Sequence, residues 1–491
     1  MAKDKAESVT SSAVLVRRLW QYCNVLRDDG LSYPDYVEQL TYLLFLKMAD
    51  EQGDVAVPRD LGWTTFVDLD ASAMHERYSQ VLSKLGEGRG TLGLIFRNAK
   101  NKIQDPAKLR LLVADLIGAF DWSGISADLK GDAYEGLLEK NARDTKSGAG
   151  QYFTPRPLID AIVECVNPMV GEVVSDPACG TAGFLLSAHD HMSSSKKSLT
   201  KAEQHHLRTK AVRGVELVEE VARLATMNLL LHGVSADSDD DLPISRADSL
   251  ASPPARQVDV VLTNPPFGVK GSVTYSKDGK TRRTADDLTA RRPDFWVSTA
   301  NKQLNFVQHV VSLLKTGGRA ALVLPDNVLY EPGAGAAIRR RLLENCNVHT
   351  LLRLPTGLFY AAGVKANVVF FDQAPPVARN GAELLVYDLR SDNRFSLKAN
   401  PLKREDLSEF VHVYRQHAQG NDASLSAVSN ERWRKFSREA ILASPDCSLD
   451  LSWYASPSKG APALARLEAI SDQVADQLEA ALGHVRAAAG R

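Results

Sequence analysis

The stretch of this sequence with the clearest chemical potential is Asn264-Pro265-Pro266-Phe267. It follows an apolar run, residues 258–263, whose β-branched residues predict a buried strand that the two prolines end. The Asn264 side-chain oxygen and the Pro265 carbonyl can each accept an N–H, and the Phe267 ring offers a flat apolar face. Together these groups suit a planar target that bears an exocyclic NH2. The alternative interpretation is a strand followed by a rigid turn with no chemical role.

Three further segments predict elements that would lie beside this turn. A strand at 172–176 is followed by a small-residue loop, Pro177-Ala178-Cys179-Gly180-Thr181-Ala182-Gly183, which opens a helix. A second strand, 212–216, ends in Glu216, where a carboxylate can bind both hydroxyls of a ribose. A third, 244–248, ends in Asp248, which could receive an adenine amino group. Because open α/β sheets bind ligands at the carboxyl ends of their strands, this arrangement predicts a nucleotide-like ligand.

A threonine-proline pair precedes another predicted helix. Thr154 is predicted to be the N-cap of that helix, and the amides that follow form a plausible carboxylate site. The alternative is an ordinary capped helix.

The order of elements predicts an α/β fold with a doubly wound parallel sheet. Strands at 319–325, 348–354 and 367–371 follow the first four and alternate with helices. Residues from about 15 to 130 have apolar side chains at three- and four-residue steps and predict an all-helical N-terminal domain. An apolar stripe in 463–485 predicts a C-terminal helix that docks on a partner or on the N-terminal domain. We therefore expect three domains, residues 1–145, 146–400 and 401–491.

The segment between Phe267 and residue 306 is long, polar and rich in basic residues. Segments of this kind are often functional, and a position beside the candidate turn favours contact with nucleic-acid phosphates over a merely solvated loop. The residues expected to make that contact are Lys270, Arg282, Arg283, Arg291 and Arg292.

Composition narrows the class of protein. The 491 residues are 44% hydrophobic, but no apolar run is long enough for a membrane helix and the N-terminus does not resemble a signal peptide. Five scattered cysteines favour neither a zinc site nor disulfides, which fits the cytoplasm. No GxxxxGK[ST] phosphate loop is present, so ATP hydrolysis is not expected. The formal net charge of −1 is unusual for a protein that holds nucleic acid alone, so a nucleic-acid substrate would be held by a local basic patch or by another subunit.

The ordered motifs resemble those of S-adenosylmethionine-dependent DNA adenine-N6 methyltransferases and, more narrowly, the modification (M) subunits of type I restriction-modification systems. The resemblance covers most of the chain. It rests on Leu19-Trp20, Leu44-Phe45-Leu46-Lys47-Met48, Gly148-Ala149-Gly150-Gln151-Tyr152-Phe153-Thr154-Pro155-Arg156, Asp176-Pro177-Ala178-Cys179-Gly180-Thr181-Ala182-Gly183-Phe184, Glu216, Asp248, Asn264-Pro265-Pro266-Phe267, Leu324-Pro325-Asp326-Asn327 and Leu354-Pro355-Thr356-Gly357-Leu358-Phe359-Tyr360.

This resemblance implies a mostly parallel, seven-stranded class I methyltransferase sheet in residues 146–400, with S-adenosyl-L-methionine as cofactor and no metal. It also implies DNA as substrate, a specificity (S) subunit and a second copy of the chain as partners, and a restriction-translocase (R) subunit that can join them. The implied catalytic residues are Asn264, Pro265, Pro266 and Phe267, and Phe267 with Phe359 or Tyr360 would stack on the target base. The implied cofactor-binding residues are Tyr152, Phe153, Thr154, Pro155, Asp176, Ala178, Gly180, Thr181, Gly183, Glu216 (ribose) and Asp248 (adenine).

Other functions are compatible with the same turn. It also serves enzymes that methylate a glutamine side-chain amide in proteins or a guanine amino group in RNA, although the basic segment and the helical N-terminal domain favour DNA. A non-catalytic assembly module that binds S-adenosylmethionine as an allosteric ligand is a further alternative, against which the intact Asn264 and Phe267 count.

Overall fold

The computed structural model describes residues 31, 33–52, 57–119, 154–236, 238, 241–267, 275–277, 281–283, 292–359, 365–374, 383–390, 395, 400–418, 432–451 and 453. The chain divides into two compact units, Met1–Leu449 and Asp450–Arg491, and every element below belongs to the first. The predicted C-terminal stripe in 463–485 lies outside the described residues, and the three-domain division remains a prediction.

The N-terminal part is helical wherever it is described, as predicted. Its elements are α1 (Tyr33–Gln52), two 3-10 turns (Arg59–Leu61 and Trp63–Thr65), α2 (Ala71–Gly86), α3 (Gly90–Phe96), α4 (Pro106–Arg110) and a π-helical turn (Leu111–Ile117). The aromatic residues Tyr42, Phe45 and Phe96 pack against one another in its core. These side chains therefore have a packing role, which is the usual one for buried aromatic residues.

The strands of the chain are β1 (Val174–Asp176), β2 (Val212–Glu216), β3 (Ile244–Arg246), β4 (Val258–Thr263), β5 (Tyr275–Lys277), β6 (Thr281–Arg283), β7 (Leu314–Pro325), β8 (Asn347–Arg353), β9 (Ala366–Asp372), β10 (Glu383–Asp388) and β11 (Trp433–Ser437). In the described part of the chain, nine of them form one sheet in the order β11-β10-β8-β9-β7-β4-β1-β2-β3, and β5 and β6 form a separate hairpin. The remaining helices are α5 (Arg156–Val166), α6 (Gly183–Ser194), α7 (Lys201–Thr209), α8 (Glu219–Leu231), α9 (Lys302–Leu313), α10 (Asp326–Tyr330), α11 (Ala334–Asn345), α12 (Ser408–Ala418) and α13 (Arg438–Ala443), with a 3-10 turn at Arg404–Leu407.

The predicted α/β class is confirmed, but the sheet is larger and more mixed than expected. All seven predicted strands are present, and β10 and β11 extend the sheet at one edge. Strand β9 runs antiparallel to both β7 and β8, and β11 runs antiparallel to β10, whereas the other pairings are parallel. Residues 354–359 and 365, the described part of the connection between β8 and β9, contain no helix of the kind that forms the crossover between parallel strands.

The sheet has a topological switch point between β1 and β4. From β1 the chain moves outward to β2 and β3 and then returns to the opposite side of β1 as β4. Strand β4 is paired on both edges and buried from Val260 to Thr263, which explains its nearly continuous apolar sequence. Ligands of open α/β sheets bind outside the carboxyl ends of strands at such a point. Asp176 ends β1 there, and Asn264 follows β4 directly.

A buried arginine joins the helical part to the sheet. Arg223, on the helix that follows β2, forms an ion pair with Glu38, donates to the Tyr42 hydroxyl at 2.6 Å and donates to the Arg97 carbonyl at 3.1 Å. The N-terminal helices are thereby fixed to α8, the helix that follows Glu216 in the chain. Among the residues described, none of the helices has the length and apolar character that a membrane span requires.

Candidate active site

The Asn264 side chain lies buried at the carboxyl end of β4. Its Nδ2 donates a hydrogen bond of 2.8 Å to the Thr154 Oγ1, which fixes the plane of the amide. Pro265 is also buried, whereas Pro266 is exposed and Phe267 is half-buried against the core. The structure therefore places the predicted turn at the switch point with its amide already oriented.

The prediction that Thr154 caps α5 is wrong. The N-cap residue is Pro155, and no side chain caps this helix. Because the Pro155 carbonyl already accepts from the amides of Leu158 and Ile159, the threonine lies one residue too early to reach the first-turn amides. Its hydroxyl instead accepts the hydrogen bond from Asn264.

Two phenylalanine rings meet beside the turn. The centroids of Phe267 and Phe359 are 6.0 Å apart with an interplanar angle of 66°, an edge-to-face arrangement typical of aromatic pairs. Phe359 is buried and follows the carboxyl end of β8. Tyr360, the other predicted stacking residue, lies outside the described residues. The two rings form an apolar wall next to Asn264.

Asp176 links the first strand to the catalytic turn. Its Oδ1 accepts hydrogen bonds from the Thr263 hydroxyl at 2.6 Å and from the Ala178 amide at 2.9 Å. Burial raises the pKa of Asp176 to about 7, the two hydrogen bonds lower it, and the nearby Glu216 carboxylate adds to the rise. Thr263 was not predicted as a site residue, although its place as the last residue of β4, directly before Asn264, is a signal that could have identified it. This carboxyl group is therefore poised to change charge near neutral pH.

Glu216 closes the glycine loop onto the end of β2. Its Oε2 accepts from the Gly180 amide at 3.1 Å and its Oε1 accepts from the Val218 amide at 2.9 Å. Burial raises the pKa of Glu216, and the backbone amides oppose that rise. Gly180 itself has a φ of +53°, a conformation that favours glycine. The loop and the acid are thus joined by hydrogen bonds into one unit.

Asp248 lies in a turn after β3. The strand ends at Arg246, two residues earlier than predicted, and the Asp248 Oδ1 accepts from the Leu250 amide at 2.9 Å. Ser249 donates from its hydroxyl to the Pro177 carbonyl at 2.6 Å, which connects this turn to the glycine loop. The predicted residues Ala178, Thr181 and Gly183 lie in that loop or at the start of the helix that follows it. Asp176, Glu216 and Asp248 therefore lie with this loop at one edge of the sheet.

The predicted phosphate contacts have different outcomes. Arg292 is buried, with a side-chain exposure of 1%, and pairs with Asp294 inside the protein, which does not fit contact with DNA. Arg282 and Arg283 lie in β6, where only the backbone is described. Tyr152, Phe153, Lys270 and Arg291 fall outside the described residues.

Comparison with known proteins identifies the family of the chain. The family described as N-6 DNA Methylase matches residues 125–457, and the HsdM N-terminal domain matches residues 15–57. The StySPI type I restriction enzyme methylase subunit of Salmonella potsdam is 38% identical over an alignment 514 residues long, which covers 96% of this chain and 94% of that protein. The EcoKI methylase subunit of Escherichia coli strain K12 is 39% identical over 482 residues, which cover 89% and 87%.

Solved structures give the same result for the fold. The EcoKI M protein aligns with a TM-score of 0.52 at 33% identity, covering 95% of this chain and 94% of that one. A modification subunit of a putative type I restriction enzyme from Vibrio vulnificus YJ016 aligns with a TM-score of 0.71 at 24% identity, covering 89% and 94%. The chain belongs to the methylase subunits of type I restriction enzymes, a family of adenine-N6 DNA methyltransferases that use S-adenosylmethionine as methyl donor.

Proposed function

We propose that Asn264, Pro265, Pro266 and Phe267 hold the amino group of an adenine that has been flipped out of duplex DNA. Flipping is required because the N6 atom inside a duplex is out of reach, and it costs about a few kcal/mol. The observation that carries this proposal is the buried Asn264 amide, fixed by Thr154 and flanked by the Phe267–Phe359 pair.

The residues at the ends of β1, β2 and β3 fit S-adenosylmethionine. The Glu216 oxygens each accept one backbone amide, so each can accept a further bond from a ribose hydroxyl. Apart from Gly180 and its two chain neighbours, no heavy atom of the described residues lies within 4 Å of the position that a Cβ on Gly180 would take, so the loop faces open space there. Leu217 and Val218, which sequence reasoning missed, are 53% and 46% exposed beside Glu216 and offer an apolar surface for a flat ring. Asp248 would bind the adenine of S-adenosylmethionine. The residues that would bind its methionine part are Tyr152, Phe153, Thr154, Pro155, Asp176, Ala178, Gly180, Thr181 and Gly183.

The chain's own groups align the acceptor nitrogen. The Asn264 oxygen and the Pro265 carbonyl accept the two amino hydrogens, which turns the nitrogen lone pair out of conjugation with the ring. Phe267 stacks on the base, and Phe359 supports the Phe267 ring from its edge. When bound, S-adenosylmethionine supplies an electrophilic methyl group. Neutral oxygen acceptors also stabilise the positive charge that develops on the nitrogen, so alignment and electrostatics supply most of the rate.

We further infer that a specificity subunit selects the DNA site for this chain, and that a second copy and a restriction-translocase subunit join the assembly. The net charge of −1 supports this, because a protein that binds DNA by itself usually carries a basic excess. The relatives are named as subunits of type I restriction enzymes, and a structure concerned with complex assembly of a type I system shares the fold over 96% of this chain at 24% identity. Lys270, Arg282, Arg283 and Arg291 remain the proposed phosphate contacts.

The experiment compares methyl transfer by the chain alone with transfer by the chain joined to its specificity subunit. Tritiated S-adenosylmethionine and DNA with or without the target site are the substrates, and digestion to nucleosides identifies the labelled product. We expect N6-methyladenine in site-containing DNA only when both subunits are present. Robust, sequence-specific methylation by the isolated chain would contradict the need for a specificity subunit, and label in protein or RNA would contradict the substrate.

A further inference from the structure

We propose that Arg292 is a positioning residue for the adenine end of the cofactor site, because it holds the turn that carries Asp248. This inference rests on the proposed role of Asp248 in binding adenine. It replaces the phosphate contact that the basic segment predicted for Arg292.

The guanidinium group of Arg292 contacts the turn that carries Asp248. Its Nη1 donates to the Ser249 carbonyl at 3.3 Å and to the Leu250 carbonyl at 3.2 Å. Those carbonyls belong to the two residues that follow Asp248, and the Leu250 amide is the donor to the Asp248 carboxylate. A shift of either carbonyl would therefore move the Asp248 side chain.

The same turn is also held by the Ser249 hydroxyl, which donates to the Pro177 carbonyl at 2.6 Å. Pro177 directly follows Asp176 in the glycine loop. The side chains of Arg292 and Ser249 thus both bind backbone carbonyls in this region. Together they fix the turn that carries Asp248 relative to the glycine loop that opens α6.

All five N–H groups of Arg292 have an acceptor. The Nε and Nη2 atoms donate to the two Asp294 carboxylate oxygens at 2.8 and 2.7 Å, and Nη2 also contacts the His309 Nδ1 at 3.1 Å. Burial chiefly, and then the charge of Arg292, lowers the pKa of His309 to about 4, so this imidazole is neutral at ordinary pH and can accept. The guanidinium also lies 4.1 Å from the centroid of the Phe295 ring.

This set of contacts requires the planar fork of arginine. A lysine at position 292 would keep the positive charge next to Asp294 but has three donors on a single nitrogen, so it cannot serve the carboxylate and both carbonyls together. The substitution Arg292→Lys therefore removes the two hydrogen bonds to the turn while leaving the charge of the partly buried Asp294 compensated.

Arg319 provides a matched control. It also pairs with a carboxylate, that of Glu172, through contacts of 2.8 Å from Nη1 and Nη2, and donates to the carbonyls of Val166 and Asn167 at 2.7 and 2.8 Å. Glu172 precedes β1, so this cluster lies at the amino ends of the strands, at the edge opposite the candidate site. Arg319→Lys makes the same chemical change away from the cofactor.

The test measures the affinity of the full chain for S-adenosylmethionine and S-adenosylhomocysteine by calorimetry, and its unfolding midpoint without ligand. We expect Arg292→Lys to weaken both ligands about tenfold, roughly the effect of losing one positioning hydrogen bond. Arg319→Lys should lower the unfolding midpoint about as much as Arg292→Lys does, but it should change the affinity for neither ligand. In the complex with the specificity subunit, Arg292→Lys should raise the KM for S-adenosylmethionine and leave kcat nearly unchanged.

Equal affinities for wild type and Arg292→Lys would overturn the positioning role, as would an equal loss in Arg319→Lys, since that result would make the effect one of general stability. A fall in kcat at constant KM would also overturn it. Failure of the wild type to bind S-adenosylmethionine would instead count against the proposed cofactor site itself, so the two failures are distinguishable.

Discussion

The substitution Asp176→Asn should stabilise the cofactor-free protein at alkaline pH. Burial raises the pKa of this carboxyl group to about 7, whereas an aspartate in an unfolded chain titrates near about 3.9. The folded state therefore holds the proton more tightly than the unfolded state does. The stability that the bound proton of Asp176 contributes is fully present below about pH 4 and is lost progressively as pH rises from about 4 to 7. Above that range the ionised, buried carboxylate costs a constant amount of stability relative to a neutral side chain.

The size of the penalty follows from the width of this window. Each pKa unit corresponds to about 1.4 kcal/mol, so a window of about three units gives at most about 4 kcal/mol at pH 8. An asparagine resembles the protonated acid and does not titrate, and its oxygen can still accept from Thr263 and the Ala178 amide. The variant should thus be more stable than wild type by up to about 4 kcal/mol at pH 8 and by little at pH 4.

Denaturant unfolding at a series of pH values between 4 and 8 measures this difference. Asp294→Asn is the control with the opposite sign, because the hydrogen bond from Arg292 holds the pKa of Asp294 below its usual range. That variant should be less stable than wild type at pH 8, and the deficit should shrink as pH falls through the folded pKa. A difference between Asp176→Asn and wild type that does not change with pH, or a loss of stability at pH 8, would refute the reasoning.

Three further variants probe the site in the complex with the specificity subunit. Thr154→Val should lower kcat about tenfold, because the Asn264 amide loses a buried acceptor worth about 1–3 kcal/mol, while Thr154→Ser should retain most activity; equal kcat values would contradict the orienting role. Phe267→Ala should lose most methyl transfer and Phe267→Trp should keep a measurable part, and the reverse order would exclude stacking as the function of the ring. Glu216→Ala should weaken S-adenosylmethionine strongly in calorimetry, since two charge-assisted bonds of about 1.5–3 kcal/mol each are lost, with unchanged affinity removing Glu216 from the site.

The central strands and the site they carry could be predicted because their signals are local. Strand β4 is buried on both faces, so its sequence is an apolar run that ends where prolines stop the ladder. The acids Asp176 and Glu216 end their strands, and Asp248 follows β3 closely, so strand prediction alone brought them to one edge.

The edge of the sheet was harder to predict. Strand β10 is an apolar run like the others, but it joins the sheet beside β8, out of sequence order. Strand β11, Trp433–Ser437, carries charged residues because it is an edge strand, and its half-exposed pattern resembles a loop. The antiparallel direction of β9 depends on how the chain returns from β8, which no residue pattern specifies.

The errors at single residues have a common cause. Arg292 lies in a basic, polar segment and was predicted to contact phosphate, but besides the nearby Asp294 its acceptors are Ser249, Leu250 and His309, which are distant in sequence. Thr154 was assigned to the nearest helix, whereas its partner is Asn264. Tertiary partners decided both positions, and a single sequence does not reveal them.

The central claim is that Asn264 presents the target amine and takes no part in binding the cofactor. The most direct measurement compares wild type and Asn264→Ala, each assembled with the specificity subunit, for tritium transfer to adenine N6 and for calorimetric affinity for S-adenosylmethionine. The account predicts label in N6-methyladenine for the wild type, essentially none for the variant, and nearly equal cofactor affinities. Methylation by Asn264→Ala at a rate near that of the wild type would contradict it.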